Sequence, residues 1–265
     1  MTGGENKWIG PGRLSFATDV VLEKVSRTVP ASHSVTVAVS LYNYAQFVDA
    51  CLNSVQAQTH GPLELIVVDD ASGDDNSLAV AEAWLAAHAE RFERVLLLRH
   101  RRNQGPSAAR NTAFFNSYGA FVFVLDADNM IYPRAIGRLL EVMQADGEFA
   151  AAYSQSELFG AEHRLGPADV WSPERLKRGN YLDVMALVSR RAWEKVAGYS
   201  DMDHWEDYDF WCKFVEQGLA AAFVPEILCR YRVHGASAVR TANPKVFAEL
   251  TVRMLRRHPW LELDQ

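Results

Sequence analysis

Short strand-like runs alternate with amphipathic segments from residue 34 to residue 153, and this alternation constrains the fold more than any other feature of the chain. Val35–Leu41 is short and rich in β-branched residues, which is typical of a strand. The segment 45–58 that follows carries its apolar residues on one helical face. When strands and helices alternate, the crossovers are right-handed and the sheet is mostly parallel. The predicted fold class is therefore α/β, with a Rossmann-like central sheet flanked by helices and a C-terminal extension on the same sheet.

The same patterns predict the individual elements. Strands are predicted at 35–41, 63–68, 95–98, 121–125, 149–153, 183–188, 221–224 and 228–233. Helices are predicted at 45–58, 106–116, 133–146, 191–197, 205–217 and 244–256, with another after residue 76 whose apolar face includes Leu78 and Leu85. Residues 1–33 lack periodicity, and we treat them as an extension of unknown order.

The bulk composition excludes several classes of protein. The 265 residues are 49% hydrophobic and 23% charged, as in an ordinary globular protein, and the net charge of −6 gives no general affinity for nucleic acid or acidic membranes. Cys51, Cys212 and Cys229 lie in apolar stretches without metal-type spacing, which predicts buried thiols in a reducing compartment. No signal-peptide pattern is visible, and no stretch approaches the roughly 18 apolar residues of a membrane span.

Two aspartates one residue apart, in Asp126-Ala127-Asp128, end the apolar run 121–125. Unpaired carboxylates lose their hydration on burial, so they are expected at the edge of the sheet, where open α/β sheets bind ligands. Two hard oxygen ligands at this edge suit Mg²⁺ or Mn²⁺ shared with the phosphates of a substrate. The alternative is an Asp/Asn-rich turn in which Asp128 or Asn129 caps a helix.

The run 63–68 ends in the same way, in Asp69-Asp70 followed by a Ser/Gly loop. A carboxylate at a strand end can accept an N–H from a heterocycle such as uracil, and the loop can shape a nucleoside pocket. The alternative is a polar loop that caps the next helix, which we prefer for Asp74 and Asp75.

Three basic features complete the set of candidate residues. Arg110 lies one turn into a helix that begins after the turn Gly105-Pro106, and helix starts favour anionic ligands. Arg110 is predicted either to contact phosphate or to hold the strand-end aspartates. His234 follows a strand and precedes a Gly-Ala-Ser loop; it is a candidate metal or diphosphate ligand, although most single histidines have no such role. The run Arg99-His100-Arg101-Arg102 is typical of a solvated face.

Over about residues 34–237, short motifs occur in the order found in family 2 glycosyltransferases of the GT-A fold, and the chain resembles that family. These motifs are Val39-Ser40-Leu41-Tyr42-Asn43, 67–72, Asn103-Gln104-Gly105, Arg110-Asn111, Leu125-Asp126-Ala127-Asp128, Arg178-Gly179-Asn180-Tyr181, 196–201 and 205–211. Ser40-Leu41 replaces the usual Pro-Thr, and Ala71 replaces a glycine of the nucleoside loop. The Gln-x-x-Arg-Trp signature of processive polysaccharide synthases is absent, so a polymerising synthase is not expected.

The resemblance implies a nucleotide-diphosphate sugar as donor, foremost a UDP-sugar, a divalent metal ion (Mn²⁺ or Mg²⁺) and an inverting displacement. The implied acceptor is a saccharide, a lipid-linked molecule or a protein, with no nucleic acid as partner. We expect a cytoplasmic protein, peripheral at the inner membrane face if the acceptor is lipid-linked. The expected GT-A domain is 34–240, with a nucleotide-sugar half (34–130), an acceptor half (131–240) and a helical tail (241–265).

The family pattern also assigns roles to individual residues. Asp207 would be the catalytic base, although it could equally be a first-turn acid that complements the helix dipole, as Glu206 and Asp209 could. The implied metal ligands are Asp126, Asp128 and His234, with Asp128 making the direct contact. The implied donor-binding residues are Leu41, Tyr42, Asn43, Asp69, Asp70, Gly105, Arg110, Asp126 and Ala127. The candidates for the acceptor side are Asn180, Tyr181, Met185 and Trp205.

Two other classes of protein remain as alternatives. A nucleotidyltransferase that makes an activated sugar would normally carry a glycine-rich phosphate loop with a basic residue after its first strand. This chain has Leu41-Tyr42-Asn43-Tyr44 at that place. A non-catalytic nucleotide-sugar-binding protein would not need Asp126, Asp128 and Asp207 together, although residues alone cannot demonstrate turnover.

Overall fold

The computed structural model describes residues 6–7, 15–26, 35–202, 204–235 and 244–263. Its strands are β1 (Asn6–Lys7), β2 (Ser15–Phe16), β3 (Thr18–Val25), β4 (Val35–Leu41), β5 (Leu63–Asp69), β6 (Arg94–His100), β7 (Phe121–Asp126), β8 (Met130–Ile131), β9 (Ala151–Gly160), β10 (Arg164–Leu165), β11 (Ala186–Ser189) and β12 (Ala221–Val233). Its helices are α1 (Ala45–Gln56), α2 (Ser77–His88), α3 (Pro106–Asn116), α4 (Ala135–Asp146), α5 (Pro173–Leu176), α6 (Arg190–Lys195), α7 (Glu206–Glu216) and α8 (Pro244–Arg257).

Ten of the described strands form one sheet in the order β3-β6-β5-β4-β7-β11-β9-β12-β8, with β10 attached to β9. Strands β6, β5, β4 and β7 are mutually parallel, as the alternation of strands and helices predicts. Strand β11 inserts antiparallel between β7 and β9, and β9 runs parallel to β12. The predicted α/β fold with a mostly parallel sheet is confirmed. The carboxyl ends of the parallel strands meet at one edge, where their loops converge.

The second half of the chain differs from the prediction in detail. The strand predicted at 183–188 begins only at Ala186, because the carboxylate of Asp183 accepts the Met185 N–H at 2.8 Å and turns the chain. The two strands predicted at 221–224 and 228–233 are one strand, β12, with register shifts next to Pro225. Proline cannot donate to the ladder, which accounts for the irregularity.

Part of the N-terminal extension belongs to the main sheet. Strand β3 pairs antiparallel with β6 and forms the edge of the sheet, with one register shift between Val20 and Leu22. Most of its side chains are at least partly exposed, so the strand carries no period-2 apolar pattern that the sequence could reveal.

Apolar side chains pack against both faces of the sheet. One core lies under α1, α2 and α4 and includes Val48 and Leu139. The other lies under α3, α7 and α8 and includes Phe214 and Met254. The three cysteines are buried and free, as predicted. Across the described residues, no helix combines the length and the apolarity that a membrane span needs.

The loops after β4 and β5 are joined by hydrogen bonds. The side-chain oxygen of Asn43 accepts the N–H groups of Gly73 at 3.1 Å and Asp74 at 3.2 Å, while its own backbone N–H bonds to Ser72 Oγ at 3.0 Å. Ala71, in the same loop, adopts a left-handed φ of 62°. This conformation explains why a glycine is expected at position 71, because a Cβ atom is strained there.

We expect the substitution Ala71→Gly to raise the free energy of unfolding by about 1 kcal/mol, because it removes the Cβ atom from a left-handed backbone. Urea denaturation measures the change. Ala83→Gly, in the exposed middle of α2, serves as the control and should lower the free energy of unfolding by about 1 kcal/mol. Equal losses in both variants would contradict this explanation.

Candidate active site

A cleft of about 710 Å³ lies at the carboxyl edge of the parallel strands. The loops after β4, β5, β6 and β7 form one side of it, together with the start of α3. The opposite side is formed by residues just before and at the start of α7, namely Asp201, Met202, His204 and Glu206. The cleft therefore lies where open α/β sheets bind ligands, and it brings the first and second halves of the chain together.

Arg110 crosses the floor of this cleft and is buried, with its side chain 4% exposed. One guanidinium nitrogen bonds to both oxygens of Asp126 at 2.9 and 3.1 Å, and another bonds to Glu206 Oε1 at 2.7 Å. Burial works against the charge of Arg110, yet the carboxylates of Asp126 and Glu206 raise its pKa well above the usual range. Arg110 thus holds a strand-end aspartate, one of its two predicted roles, and it also holds the first residue of α7.

Asp128 pairs with His234, with the His234 Nε2 atom 3.0 Å from Asp128 Oδ2. Burial raises the pKa of Asp128, the nearby charge of Asp126 raises it further, and His234 opposes both effects. Arg232 donates from Nε to the backbone oxygen of Asp128 at 2.8 Å and from its backbone N–H to Asn129 Oδ1 at 2.8 Å. These contacts fix the turn after β7 against the end of β12, so neither Asp128 nor Asn129 caps a helix.

The carboxylate and imidazole of this pair suit a divalent ion such as Mn²⁺, with substrate phosphates as further ligands. Within the described part of the chain, no three or more His, Cys, Asp or Glu side chains form a complete metal site. The Asp126 side chain is more exposed than that of Asp128, at 25% against 12%, but its oxygens already accept hydrogen bonds from Ser40 Oγ at 2.6 Å and from Arg110, which leaves fewer lone pairs for an ion. The residues present therefore fit an ion held jointly by Asp128, His234 and a diphosphate.

Asp207 lies in the first turn of α7, after Trp205, which adopts a left-handed φ of 60°. Its Oδ2 atom accepts the Asn180 amide at 3.0 Å. Burial raises the pKa of Asp207 to about 7, with further contributions from the charges of Glu206 and Asp183. A carboxylate with a pKa near neutral pH is well suited to accept a proton as a general base.

Asp70 lies at the mouth of the cleft, with three protein donors on its carboxylate. These are the N–H groups of Gln104 at 2.9 Å and Gly105 at 2.7 Å, and His100 Nδ1 at 2.6 Å. His100 is fully buried, so its inclusion in a solvated basic run was wrong. Asp69 is buried behind the strand end and accepts the Ser72 N–H at 3.2 Å.

The structure brings most of the predicted site residues together. Those that line the cleft are Leu41, Tyr42, Asp70, Gly105, Arg110, Asp126 and Asp128. His234 and Asp207 adjoin it through Asp128 and Glu206. Three predicted donor-binding residues do not line it: Asn43 holds the neighbouring loop, Asp69 is buried, and Ala127 is buried with its N–H on Ser40. The acceptor-side candidates Tyr181 and Met185 lie in the hydrophobic cores.

Sequence reasoning missed several residues of the cleft. Asp201, Met202 and His204 line the side opposite the strand ends, and Tyr231 lines it from β12. Asp201 ends the motif 196–201, but Met202 and His204 lie between that motif and the next, where no pattern identifies them. The contact between Arg110 and Glu206 joins residues 96 positions apart, which no local pattern predicts.

A model of glycosyl transferase family 2 matches residues 36–205. The chain belongs to this family, as its motifs predict. An uncharacterized glycosyltransferase of Nostoc sp. is 30% identical over 159 residues, which cover 60% of this chain and 47% of the relative. The chain thus spans about half the length of this relative.

Two solved structures share the fold. The 1–349 portion of TarS from S. aureus, in complex with UDP-GlcNAc, superposes with a TM-score of 0.68 at 16% identity, over 84% of this chain and 66% of that one. The mannosyltransferase PcManGT from Pyrobaculum calidifontis, in complex with GDP-Man and Mn²⁺, superposes with a TM-score of 0.62 at 18% identity, over 86% of this chain and 72% of that one. The predicted GT-A type of fold is confirmed.

We expect Arg110→Met to lower the free energy of unfolding at pH 7 by about 3–5 kcal/mol, because it leaves two partly buried carboxylates without their cation. Thermal and urea denaturation measure the loss. Arg101→Met is the matched control: Arg101 pairs with Asp19 on the surface, where both side chains are more than half exposed. Its loss should be no more than about 1 kcal/mol. Similar losses in the two variants would show that Arg110 does not organise the site.

Proposed function

We propose that this chain is a metal-dependent, inverting glycosyltransferase that moves a sugar from a nucleotide-diphosphate donor, foremost a UDP-sugar, to an acceptor hydroxyl. The observation that carries the proposal is the placement of two complementary groups at one cleft. The pair Asp128 and His234 is suited to bind a cation, and the carboxylate of Asp207 is suited to accept a proton. Transfer of a sugar needs charge stabilisation on the leaving phosphate and removal of a proton from the acceptor.

The donor is proposed to lie along the strand-end loops, with its base near Tyr42 and Asp70. Tyr42 is 43% exposed and offers a ring to a base. The Asp70 carboxylate already accepts from His100, Gly105 and, with both oxygens, Gln104, so Asp70 is proposed to shape the wall of the cleft beside the base. The complexes of the two structural neighbours with UDP-GlcNAc and with GDP-Man and Mn²⁺ support a nucleotide-sugar donor and a divalent ion.

Asp128 and His234 are the proposed protein ligands of the ion. When bound there, a divalent ion would supply positive charge next to the departing diphosphate. Arg110 contributes by neutralising Asp126, which would otherwise repel the diphosphate. Asp128 is thus the proposed direct ligand of the ion, whereas Asp126 is proposed to act mainly through its contact with Arg110.

Asp207 is proposed to accept the proton of the attacking hydroxyl. One base opposite the leaving group gives a single in-line displacement, which inverts the anomeric centre. The acceptor is proposed to be a saccharide, a lipid-linked molecule or a protein. The proposed location is the cytoplasm, with the inner membrane face as the site of action on a lipid-linked acceptor.

Incubation with a panel of UDP-, GDP- and dTDP-sugars, Mn²⁺ and water tests the proposal without a known acceptor. Slow release of a nucleoside diphosphate is the expected result. Release or consumption of pyrophosphate would instead indicate a nucleotidyltransferase. Binding without turnover would indicate a non-catalytic sugar-nucleotide-binding protein.

We expect the nucleoside diphosphate of the preferred donor to bind at least about tenfold more weakly after chelation, because Asp128 repels an anion when no cation is bound. Calorimetry with and without Mn²⁺ measures the difference. Asp128→Asn and His234→Asn should each reduce this metal-dependent gain, while Asp74→Asn in an exposed loop should preserve it. Equal affinity in the presence and absence of Mn²⁺ would exclude the metal role.

We expect Asp207→Asn to reduce donor hydrolysis by about 10²–10⁴-fold, because the amide keeps the size of the side chain but cannot accept the proton. Donor affinity should change little. Wild-type turnover should fall as the pH drops below about 7, where Asp207 becomes protonated. Glu174→Gln, an exposed first-turn acid of α5, is the control and should be unchanged.

The anomer released first, observed by proton NMR, should have the configuration opposite to that of the donor. Retention of configuration, or near-normal turnover by Asp207→Asn, would show that Asp207 is not the base of an inverting transfer.

A further inference from the structure

The C-terminal helix α8 is tied to α7 through a buried carboxylate, Asp209, which is fully shielded from solvent. Arg257 Nε lies 2.6 Å from Asp209 Oδ1, and His258 Nε2 lies 3.1 Å from the same atom. Lys213 contributes a third positive charge, 3.4 Å from Asp209 Oδ2. Although burial opposes ionisation, these partners lower the pKa of Asp209 below its usual range.

The same connection anchors the far end of α7. His258 Nδ1 lies 2.7 Å from Oε1 of Glu216, the last residue of the helix, and the Trp260 indole donates to that oxygen at 2.9 Å. Burial would lower the pKa of His258, but Asp209 and Glu216 raise it above its usual range. Both ends of α7 are therefore fixed by the residues that end and follow α8.

Residues of α8 also contact Ser200, Asp201 and Trp205, which precede α7. Arg257 donates to Ser200 Oγ at 2.6 Å, and Arg253 donates to the backbone oxygen of Asp201. The ring of Phe247 lies 5.9 Å from that of Trp205, centroid to centroid. Because Asp201, Met202 and His204 line the cleft, α8 supports one of its sides.

The two aspartates of α7 serve opposite faces of the helix. Residues two apart on an α-helix point about 200° away from each other. Asp207 faces Asn180 and is adjacent to Glu206, which lines the cleft, whereas Asp209 faces α8. Any rotation of α7 that α8 permits therefore displaces Asp207 directly.

We propose that Arg257 and His258 are positioning residues for glycosyl transfer, because they hold Asp209 and Ser200 and thereby fix Asp207 and the neighbouring cleft residues Asp201 and Met202. This inference rests on the proposed function of Asp207. Helices α7 and α8 both lie beyond residues 36–205, the part of the chain matched by the family model.

If α7 is held less firmly, the pKa of Asp207 should change measurably. The groups whose charges act on this half-buried carboxylate include Glu206, Asp183 and Arg110. The phenols of Tyr199 and Tyr231 lie within electrostatic range of it. When more water gains access, the pKa of Asp207 should fall from about 7 toward 3.8, the ordinary value of an aspartate. Loss of stability alone would not move this pKa.

The test compares two neighbouring arginines of one helix, Arg257→Gln and Arg256→Gln. The side chain of Arg256 is exposed and forms no hydrogen bond or ion pair with any other described residue. Protein labelled with ¹³C-aspartate is titrated by NMR, and the signal lost in Asp207→Asn identifies Asp207. Thermal melting confirms that each variant is folded, and His258→Gln supplies a second, independent variant if Arg257→Gln is not.

Arg257→Gln and His258→Gln should each lower the pKa of Asp207 by about one unit and slow donor hydrolysis at saturating donor by about 10–100-fold. Arg256→Gln should change neither. An unchanged Asp207 titration in folded Arg257→Gln or His258→Gln, or an equal shift in Arg256→Gln, would overturn the positioning role. Absence of hydrolysis by the wild-type protein with every donor of the panel would instead contradict the proposed function.

Discussion

The buried guanidinium of Arg110 is the interaction on which the rest of the cleft depends. A buried charge is tolerated only when it is paired, and Arg110 has two carboxylate partners, Asp126 from β7 and Glu206 from α7. This double pairing joins the half of the chain that carries the strand-end loops to the half that carries α7. It also distinguishes the two aspartates of the motif, since Asp126 is engaged by Arg110 whereas Asp128 lies beside His234.

Many polar groups at this sheet edge serve the loops themselves before any ligand. Asp70 holds the start of α3 through the N–H groups of Gln104 and Gly105, and Asn43 holds the loop that follows β5. A pocket built in this way is pre-organised, because its walls keep their shape through internal hydrogen bonds, and less ordering is needed when a ligand binds. The proposed donor site thus depends on Asp70 for its shape even where Asp70 also meets a base.

The fold and the membership of glycosyl transferase family 2 were predictable from the sequence, because both depend on local patterns. Short β-branched apolar runs and period-3.6 apolar patterns identified the strands and helices of the parallel half, and short motifs identified the strand ends. Features that depend on distant partners were not predictable. The edge strand β3 lacks an apolar period, His100 owes its burial to Asp70, and Glu206 meets Arg110 across 96 positions. Composition likewise gave no sign that Met202 and His204 would line the cleft.

The proposed arrangement of Arg110, Asp128 and His234 around a metal ion is tested most directly by a crystal structure with bound UDP and Mn²⁺, in which anomalous scattering locates the ion. The anomalous peak should lie between the Asp128 carboxylate, His234 Nε2 and the diphosphate, with Arg110 still paired to Asp126 and Glu206. A peak on Asp126 with Arg110 turned away, or a nucleotide bound outside the cleft, would contradict this arrangement.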